Sequence, residues 1–578
     1  MMPRRGGQAH VATINTRGKG GTVYTSYLLR RSYREGGQVR HENLGNLSHL
    51  PLPIIDAIRQ MLAGRVLVDL EEGFEIERSR PHGHVAAVLG VLRQLDLERL
   101  LSRERCRERD LAVAMVCQLV IAPCSKLSMT RRFSQTTLSD ELSLDEVTEA
   151  ELLGAMDWLL DRQARVEKAL ARRHLADGGF VLYDLSSSYV DGRCCPLAAL
   201  GHNRDGKTGK QQINWGLICS PDGRPVSVQV HPGNTADPST VPGAIDTIKE
   251  KFGIERVILV GDRAMITDAH AVTLKELGAG FVSALKSAQI RKLMNAGELQ
   301  LSLFDQTNLA EITSAEFPGE RLVVCRNPHL AAERARKRED LLASTERELD
   351  RICQMASGPR GSLRSADAGR IGQRVGRVVN KYKVAKHFEL KISDGSFAYE
   401  RKTEQIATEA ALDGIYALRT TCSTDTLTSQ AVVRVYKQLK MAERAYRTIK
   451  DALEVRPIRH HLEDRVEAHF FLFLLAYYLL FELQARLAPM LYTDDTPLSP
   501  ADPVAPAQRS PAANTKAASG HTPDGLPAFS LTDLISELGT ICRNYLRIGT
   551  SQHTFPRLTN HNPAQAKALE LLNIKLTT

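Results

Sequence analysis

Aromatic side chains are scarce in this chain, 5% of 578 residues with only two tryptophans, while apolar residues of all kinds make up 43%. The core must therefore be mainly aliphatic, and the length allows two to four domains, each with its own core. Paired cysteines are missing too. The ten cysteines contain no CxxC, and the one close set, Cys194 and Cys195, is adjacent in sequence. Neighbouring cysteines cannot easily face one metal or bridge each other in an ordinary loop, so reduced thiols in a cytosolic protein are expected and a disulfide-stapled fold is excluded. There is no long hydrophobic run: FFLFLLAYYLLF, Phe470 to Phe481, falls short of the ~20 residues that cross a bilayer. The opening MMPRRGG has charge but no apolar stretch behind it. These absences predict a cytoplasmic protein with no membrane partner. A strong excess of one charge is also lacking, 76 Lys and Arg against 67 Asp and Glu. The net +9 favours a polyanionic partner, and how it is distributed decides.

Period-two alternation on both sides of Glu35, Gly36 and Gly37 predicts a β-hairpin, followed by a Pro-led helix from Leu52, in a small module over 1–82. Residues 83–176 carry apolar positions at helical spacing. Within them RDLAVAMVCQLVI, a break at Pro123 and SKLSMTRRFSQ admit a helix-turn-helix reading, with charge from Lys126, Arg131 and Arg132. An ordinary pair of packed helices is the stronger reading.

From Gly178 the pattern changes. GFVLYD, INWGLICS, RPVSVQV, RVILVGD and GFVSAL are five short apolar runs bounded by turn signals, hence buried strands. PDG joins the second and third as a hairpin; a helix capped by Asp237 and led by Pro238 separates the third and fourth. Three antiparallel strands followed by helix-linked parallel ones make a mixed α/β sheet. The core is expected over 177–290 and 412–490, interrupted by an insertion over 291–411 between the fifth strand and the helix bearing Glu443. Residues 357–387 hold eight Lys or Arg (Arg360, Arg364, Arg370, Arg374, Arg377, Lys381, Lys383, Lys386) against Asp367 alone. Phosphate contact and a solvated face both suit such a stretch. Seven prolines over 493–527 predict a flexible linker to a helical segment at 528–578.

Asp184 ends the first predicted strand and Asp262 the fourth, so neighbouring strands would bring both to one sheet edge, where α/β sheets place ligands. Glu443 lies on a helix after YALRT, and Tyr436, Glu443 and Lys450, spaced by seven, would share one stripe of it. Singly each acid is more often a turn, cap or solvated residue. Together they suit phosphoryl transfer, in which hard oxygen ligands hold two Mg²⁺ while nearby cations grip phosphate.

YDLSSSYVDG, GHNRDGKTGKQQINWGL, RPVSVQVHPGNTADPST, VGDRAMI and YKQLKMAERAYRTIKDALEVRPIRHHLEDRVEAHFFLFLLAYYL resemble the bacterial insertion-sequence transposases with a DDE catalytic core. The resemblance covers roughly Gly178 to Leu480, and the N-terminal hairpin is similar to that family's opening module. It implies an RNase H-like fold with Asp184, Asp262 and Glu443 as catalytic and metal-holding acids, and Mg²⁺ or Mn²⁺, two ions, as cofactor. It also implies double-stranded DNA with terminal inverted repeats and target DNA as partners, in a synaptic complex of a homodimer. The family's helix signature is Tyr, two residues, Arg, three residues, Glu, six residues, Lys. Here Tyr436, Glu443 and Lys450 fit and Leu439 takes the Arg place, with Lys440, Arg444 and Arg447 as the cations nearby.

Arg204, Lys207 and Lys210, on a Gly-rich loop after the first strand, and Arg263, directly after Asp262, are further candidate DNA contacts. With Tyr436, Lys450, Arg447, Arg370, Arg374 and Arg377 they complete the expected DNA-binding set. His460, His461 and His469 lack a spacing suited to zinc. The resulting reading is a transposase that cleaves DNA and transfers strands at its element's ends. Its rivals are a metal-dependent nuclease of the same fold and a DNA-binding relative without catalysis.

Overall fold

The structure is a computed structural model that describes residues 8–577 apart from 36, 66–73, 358–362, 364–365, 495 and 549–553. Gly36 of the expected hairpin turn, and Arg360 and Arg364 of the basic stretch, lie outside the described residues. The chain forms two units, a smaller one of residues 1–80 and 542–559 and a larger one of 81–541 and 560–577.

In the smaller unit β1 (Ala9–Arg17), β2 (Val23–Glu35) and β3 (Gln38–Asn46) make an antiparallel sheet. The hairpin forms where the alternation predicted it, with Glu35, expected in the turn, pairing with Gln38 as the last residue of β2, and β1 adds a strand. The helix Leu52–Leu62 follows Pro51, buries Ile55 completely and is tied to β1 by Arg59 Nη2 donating to Thr13 Oγ1 at 2.6 Å. A further strand, β4 (Phe74–Pro81), closes this part of the chain.

The larger unit is built on a mixed sheet. β5 (Phe180–Tyr189), β6 (Gln212–Cys219) and β7 (Pro225–Pro232) are antiparallel, and β8 (Ile258–Val260) and β9 (Gly280–Ala284) continue parallel to β5. The five apolar runs become these five strands in that order. Beyond them the sheet annexes β10 (Leu309–Ile312) and β11 (Arg321–Arg326). After an excursion that includes the hairpin of β12 (Phe388–Ser393) and β13 (Ser396–Arg401), β14 (Ile415–Thr420) slots between β11 and β9. The full order is β10-β11-β14-β9-β8-β5-β6-β7. The insertion expected over 291–411 is therefore corrected: its first part belongs to the sheet, because LAEI and RLVVCR are apolar enough to pair beside β14. What stands apart is the stretch from the helix Pro328–Ser357 to the helix Thr403–Ala410, around a core of its own that includes Leu349, Ile371, Val375 and Phe397.

The helix Glu463–Leu487 packs on the sheet, with the Phe470 ring centroid 5.0 Å from that of Trp215. With its extension to Met490 it is long and apolar enough to cross a membrane, yet 83% of its most apolar window is buried among other elements of the protein. The helix Arg107–Ile121 is buried on every side from Asp110 to Val120 and turns by 92° into the next. A helix buried on all sides is a core helix, so the first of this pair is packing structure; the second, Lys126–Arg132, buries Lys126 and Met129 and exposes Arg131 and Arg132. The expected linker is likewise corrected. Residues 493–527 contain the helix Pro511–Ser519, capped by Ser510, and bury Val504 and Ala513 completely. Prolines at a helix start and in extended turns restrict the chain without preventing packing. The C-terminal segment is not purely helical: β15 (Cys542–Ile548) and β16 (Thr554–Leu558) join β4 in a three-stranded sheet of the smaller unit, and the helix Pro563–Leu571 follows.

Candidate active site

Parallel pairing of β5 with β8 runs only from Phe180↔Ile258 to Leu182↔Val260. Asp184 and Asp262 both lie two residues beyond the last pair, at the same level of the sheet. Asp184 does not end its strand, as the turn signals suggested: β5 continues to Tyr189 because β6 keeps pairing with it. It is β8 that stops, at Val260, and the freed edge holds the two acids. Asp262 is fixed by its own turn, Oδ1 accepting from Ala264 N–H at 2.5 Å and Met265 N–H at 3.2 Å, while its carbonyl accepts from Ser283 Oγ at 3.0 Å.

Glu443 comes from the other side, on the helix Leu439–Arg447. That helix is seated on the sheet by Tyr446, three residues on. The buried Tyr446 hydroxyl donates to the Asp184 carbonyl and accepts from Leu217 N–H at 2.9 Å, bridging two residues that are paired between β5 and β6. Its ring lies edge-on to Trp215 at 4.8 Å. Asp184, Asp262 and Glu443 then line one cleft of about 400 Å³ with Asn327, Tyr416, Tyr436, Lys437, Leu439 and Lys440. Burial pushes the Asp184 carboxyl up to about 7. The Leu185 N–H opposes this, Asp262 adds to it, Arg204 opposes it and Glu443 adds to it. Burial, with Asp262 next, pushes the Tyr436 phenol up to about 12. Among the described residues no group of three His, Cys, Asp or Glu side chains stands at metal-ligating spacing. The three acids thus share a cleft without forming a closed cage.

The expected single stripe of Tyr436, Glu443 and Lys450 does not form. Tyr436 belongs to the separate helix Ser429–Lys437, which ends at Gln438, and Lys450 falls in a wider helical turn, Thr448–Ala452. The wider turn shifts Lys450 from the spacing that an unbroken helix would give, whereas Gln438 keeps a helical backbone between Tyr436 and Glu443. Tyr436 still reaches the cleft. Lys450 does not line it: its ammonium is buried and donates to Asp205 Oδ1 at 2.8 Å, beside Arg456 on the same oxygen. Burial lowers the Lys450 ammonium despite that partner. Leu439, in the place of the signature Arg, is buried at the cleft wall.

The loop cations are partly engaged. Arg204 pairs with Asp237 at 2.5 Å, which leaves Asp237 as an ion-pair partner and not a helix cap. Lys210 pairs with Asp191 at 2.9 Å, and Lys207 sits 5.9 Å from the Tyr189 ring centroid. Arg263 and Arg447 are exposed. Far along the chain, Arg370 and Arg377 are exposed on the helix Ala368–Tyr382, whereas Arg374 is half-buried and donates to Met355 Sδ at 3.2 Å. Sequence reasoning missed four residues that help to build the site. Tyr446 carries a readable signal, a tyrosine one turn after Glu443, whereas Asn327 and Tyr416, which arrive with the sheet extension, and Lys437, at the end of the helix Ser429–Lys437, have none. Lys437 is held by the carbonyls of Val504, at 3.1 Å, and Ala505, at 2.8 Å, so the Pro-rich segment borders the cleft.

Residues 188–479 match the model of the transposase DDE domain, beginning just after Asp184 and including Asp262 and Glu443. Residues 11–69 match the N-terminal domain of the IS1634 family transposases. No curated protein matches the chain in sequence. Among solved structures, the chain is similar to a piggyBac transposase, described as a cryo-EM synaptic complex with hairpin DNA, at 9% identity over 81% of each chain and a TM-score of 0.33. That likeness is too distant to bear on the site. With the DDE domain spanning half of its length, the chain belongs to the DDE transposases and is a bacterial insertion-sequence transposase.

Proposed function

We propose that this transposase cleaves DNA at the terminal inverted repeats of its element and joins the freed ends to target DNA, with Asp184, Asp262 and Glu443 as the acids of the reaction. The observation that carries the reading is their convergence, from a strand, a turn and a helix, on one cleft with Lys437 and Lys440. The alternation of three antiparallel strands with two parallel ones supports an RNase H-like core. The donor set fits two Mg²⁺ or Mn²⁺: every candidate ligand is a hard carboxylate oxygen, and the burial that holds a proton on Asp184 is relieved when a cation displaces it. Bound there, such ions would activate water or a 3′-hydroxyl and stabilise the leaving oxygen. Asp184 and Asp262 would hold them from the sheet and Glu443 from the helix. Exposed Lys440 would draw the scissile phosphate toward the acids, in place of the arginine that Leu439 replaces. Tyr436, its phenol kept neutral, would orient phosphate or sugar by donating a hydrogen bond. Arg263 and Arg447 would meet flanking backbone. The working form is a homodimer holding two element ends, in the cytoplasm with the nucleoid.

The test uses the full chain, a duplex carrying the element's own terminal repeat, and Mg²⁺. Cleavage at the repeat end, abolished by chelator and by Glu443→Gln, together with covalent joining to a second duplex, is the expected result. Cleavage without joining would reassign the chain as a nuclease, and binding without cleavage as a DNA-binding relative.

A further inference from the structure

Beyond the Thr448–Ala452 turn the chain runs on to line a cavity of about 520 Å³, which shares no lining residue with the acid cleft and which the chemistry above does not use. Its chemistry is set by Lys126. That side chain is only 8% exposed, yet among the described residues no carboxylate lies within ion-pairing distance of it. Its ammonium sits 5.5 Å from the Phe473 ring centroid, and burial pulls it down to about 8. An unpaired buried cation is costly, and a bound anion is the usual means of compensation. Arg459 stands exposed at the same cavity and, among the described residues, makes no ion pair within 4.0 Å, although the Asp191 carboxylate, itself paired with Lys210, lies in its field. The other lining arginines are engaged, Arg456 with Asp205 and Asp451, and Arg465 with Asp157 at 3.4 Å. Two exposed acids, Glu149 and Glu454, also line the cavity. In the wall, His469 meets the Val455 carbonyl through Nε2 at 2.9 Å, while its buried Nδ1 has no partner. A neighbouring anion would favour a proton on that nitrogen and so turn it into a donor. The volume is that of a site for a small-molecule-sized group.

We propose that this cavity binds a phosphate of the DNA, clasped by Lys126 and Arg459, as a second anchor separate from the three acids. The proposal rests on the reading of the chain as a protein that handles DNA, and a phosphodiester is the anion which that substrate presents at every nucleotide. The test is metal-free binding of the full chain to terminal-repeat duplex across a range of salt, with Lys126→Met, which keeps the apolar stem, and Arg459→Gln, whose exposed position spares the fold. Each variant should weaken binding, and the log affinity against log salt should flatten by up to about 0.9, the value for a single duplex phosphate that is no longer neutralised. An unchanged slope in both variants overturns the proposal. So does a second pattern: inorganic phosphate raises the melting temperature of the wild type but not of the variants, while DNA binding is unaltered, which assigns the cavity to free phosphate. Because binding is read without metal, a wild type that binds duplex but never cuts it would sink the proposed reaction and leave the cavity's test standing. A chain that binds no duplex would overturn both.

Discussion

Asp184→Asn should make the metal-free protein more stable while ending its cleavage. In the folded chain burial holds the Asp184 proton up to about pH 7, against 3.8 for an ordinary aspartate. The folded state therefore binds more protons than the unfolded state between those values, and stability falls as pH rises across that window. Each tenfold change in a proton equilibrium is worth about 1.4 kcal/mol, so the full penalty above pH 7 approaches about 4 kcal/mol. Asp184 keeps some exposure through the cleft, and we expect about 2–4 kcal/mol of it to be recovered when asparagine removes the charge. The assay is thermal unfolding of wild type and Asp184→Asn with chelator at pH 8 and pH 5. The variant should melt higher at pH 8, and its advantage should shrink to less than half at pH 5, where the wild-type carboxyl is mostly protonated. Added Mg²⁺ should raise the wild-type melting temperature and leave the variant unmoved, since only a ligand that prefers the folded state stabilises it. A variant that melts below wild type at pH 8, or an equal gain at both pH values, would refute the reasoning.

The pair at Lys450 should govern stability more than DNA contact. Asp205, with a side chain 2% exposed, neutralises both Lys450 and Arg456, so Asp205→Asn should cost about 3–5 kcal/mol in chemical denaturation. Lys450→Met should cost less, because Arg456 still answers the carboxylate, and the double variant should recover part of the loss. Tyr446→Phe leaves Leu217 N–H and the Asp184 carbonyl without the hydroxyl that joins them; a loss of about 1–3 kcal/mol is expected. Single-turnover cleavage by that variant should fall more than DNA affinity does, and equal falls would argue against a positioning role. Neutralising Arg370 and Arg377 together should flatten the salt dependence of DNA binding by up to about 1.8, while Arg374→Gln, already turned to Met355, should add nothing. An unchanged slope in the double variant would assign that helix face to solvent.

The five strands are legible because buried strands of a mixed sheet are short apolar runs between turn signals, a pattern that depends on local sequence alone. The two aspartates are legible for a related reason, as acids at the end of such runs. What the sequence hides is set by pairing between distant segments. Nothing local marks RLVVCR as the partner of IYALRT some ninety residues later, and without that pairing RLVVCR and its own neighbour LAEI read as part of an insertion. Helical spacing misleads in the same way at Lys450. A period of seven holds only along an unbroken helix, and the wider turn at Thr448–Ala452 takes Lys450 out of the phase that Tyr436 and Glu443 share. Lys126 reads in sequence only as surface charge on a helix pair, because burial of a lysine cannot be seen in its neighbours.

The legible strands and the hidden contacts meet at one place in the sheet. β5 pairs with β6 along Leu182 to Tyr189 but with β8 over three residues, so the strand that carries Asp184 is held firmly on one side and left open on the other. An open edge inside a sheet would ordinarily be filled by apolar side chains; here it is filled by carboxylates, and burial, with a smaller addition from Asp262 and Glu443, raises the proton affinity of Asp184. The arrangement persists because its supports are uncharged and rigid. The Asp262 turn fixes one acid through backbone N–H groups, and the Tyr446 hydroxyl fixes the helix of Glu443 to the backbone of Asp184 itself. Those contacts do not use the outer carboxylate oxygen of Asp262 or either oxygen of Glu443, so the acids are held by their frame and not by one another. A cation held by these carboxylates would favour the folded state that assembles them, and so link the stability of the fold to the chemistry proposed for it.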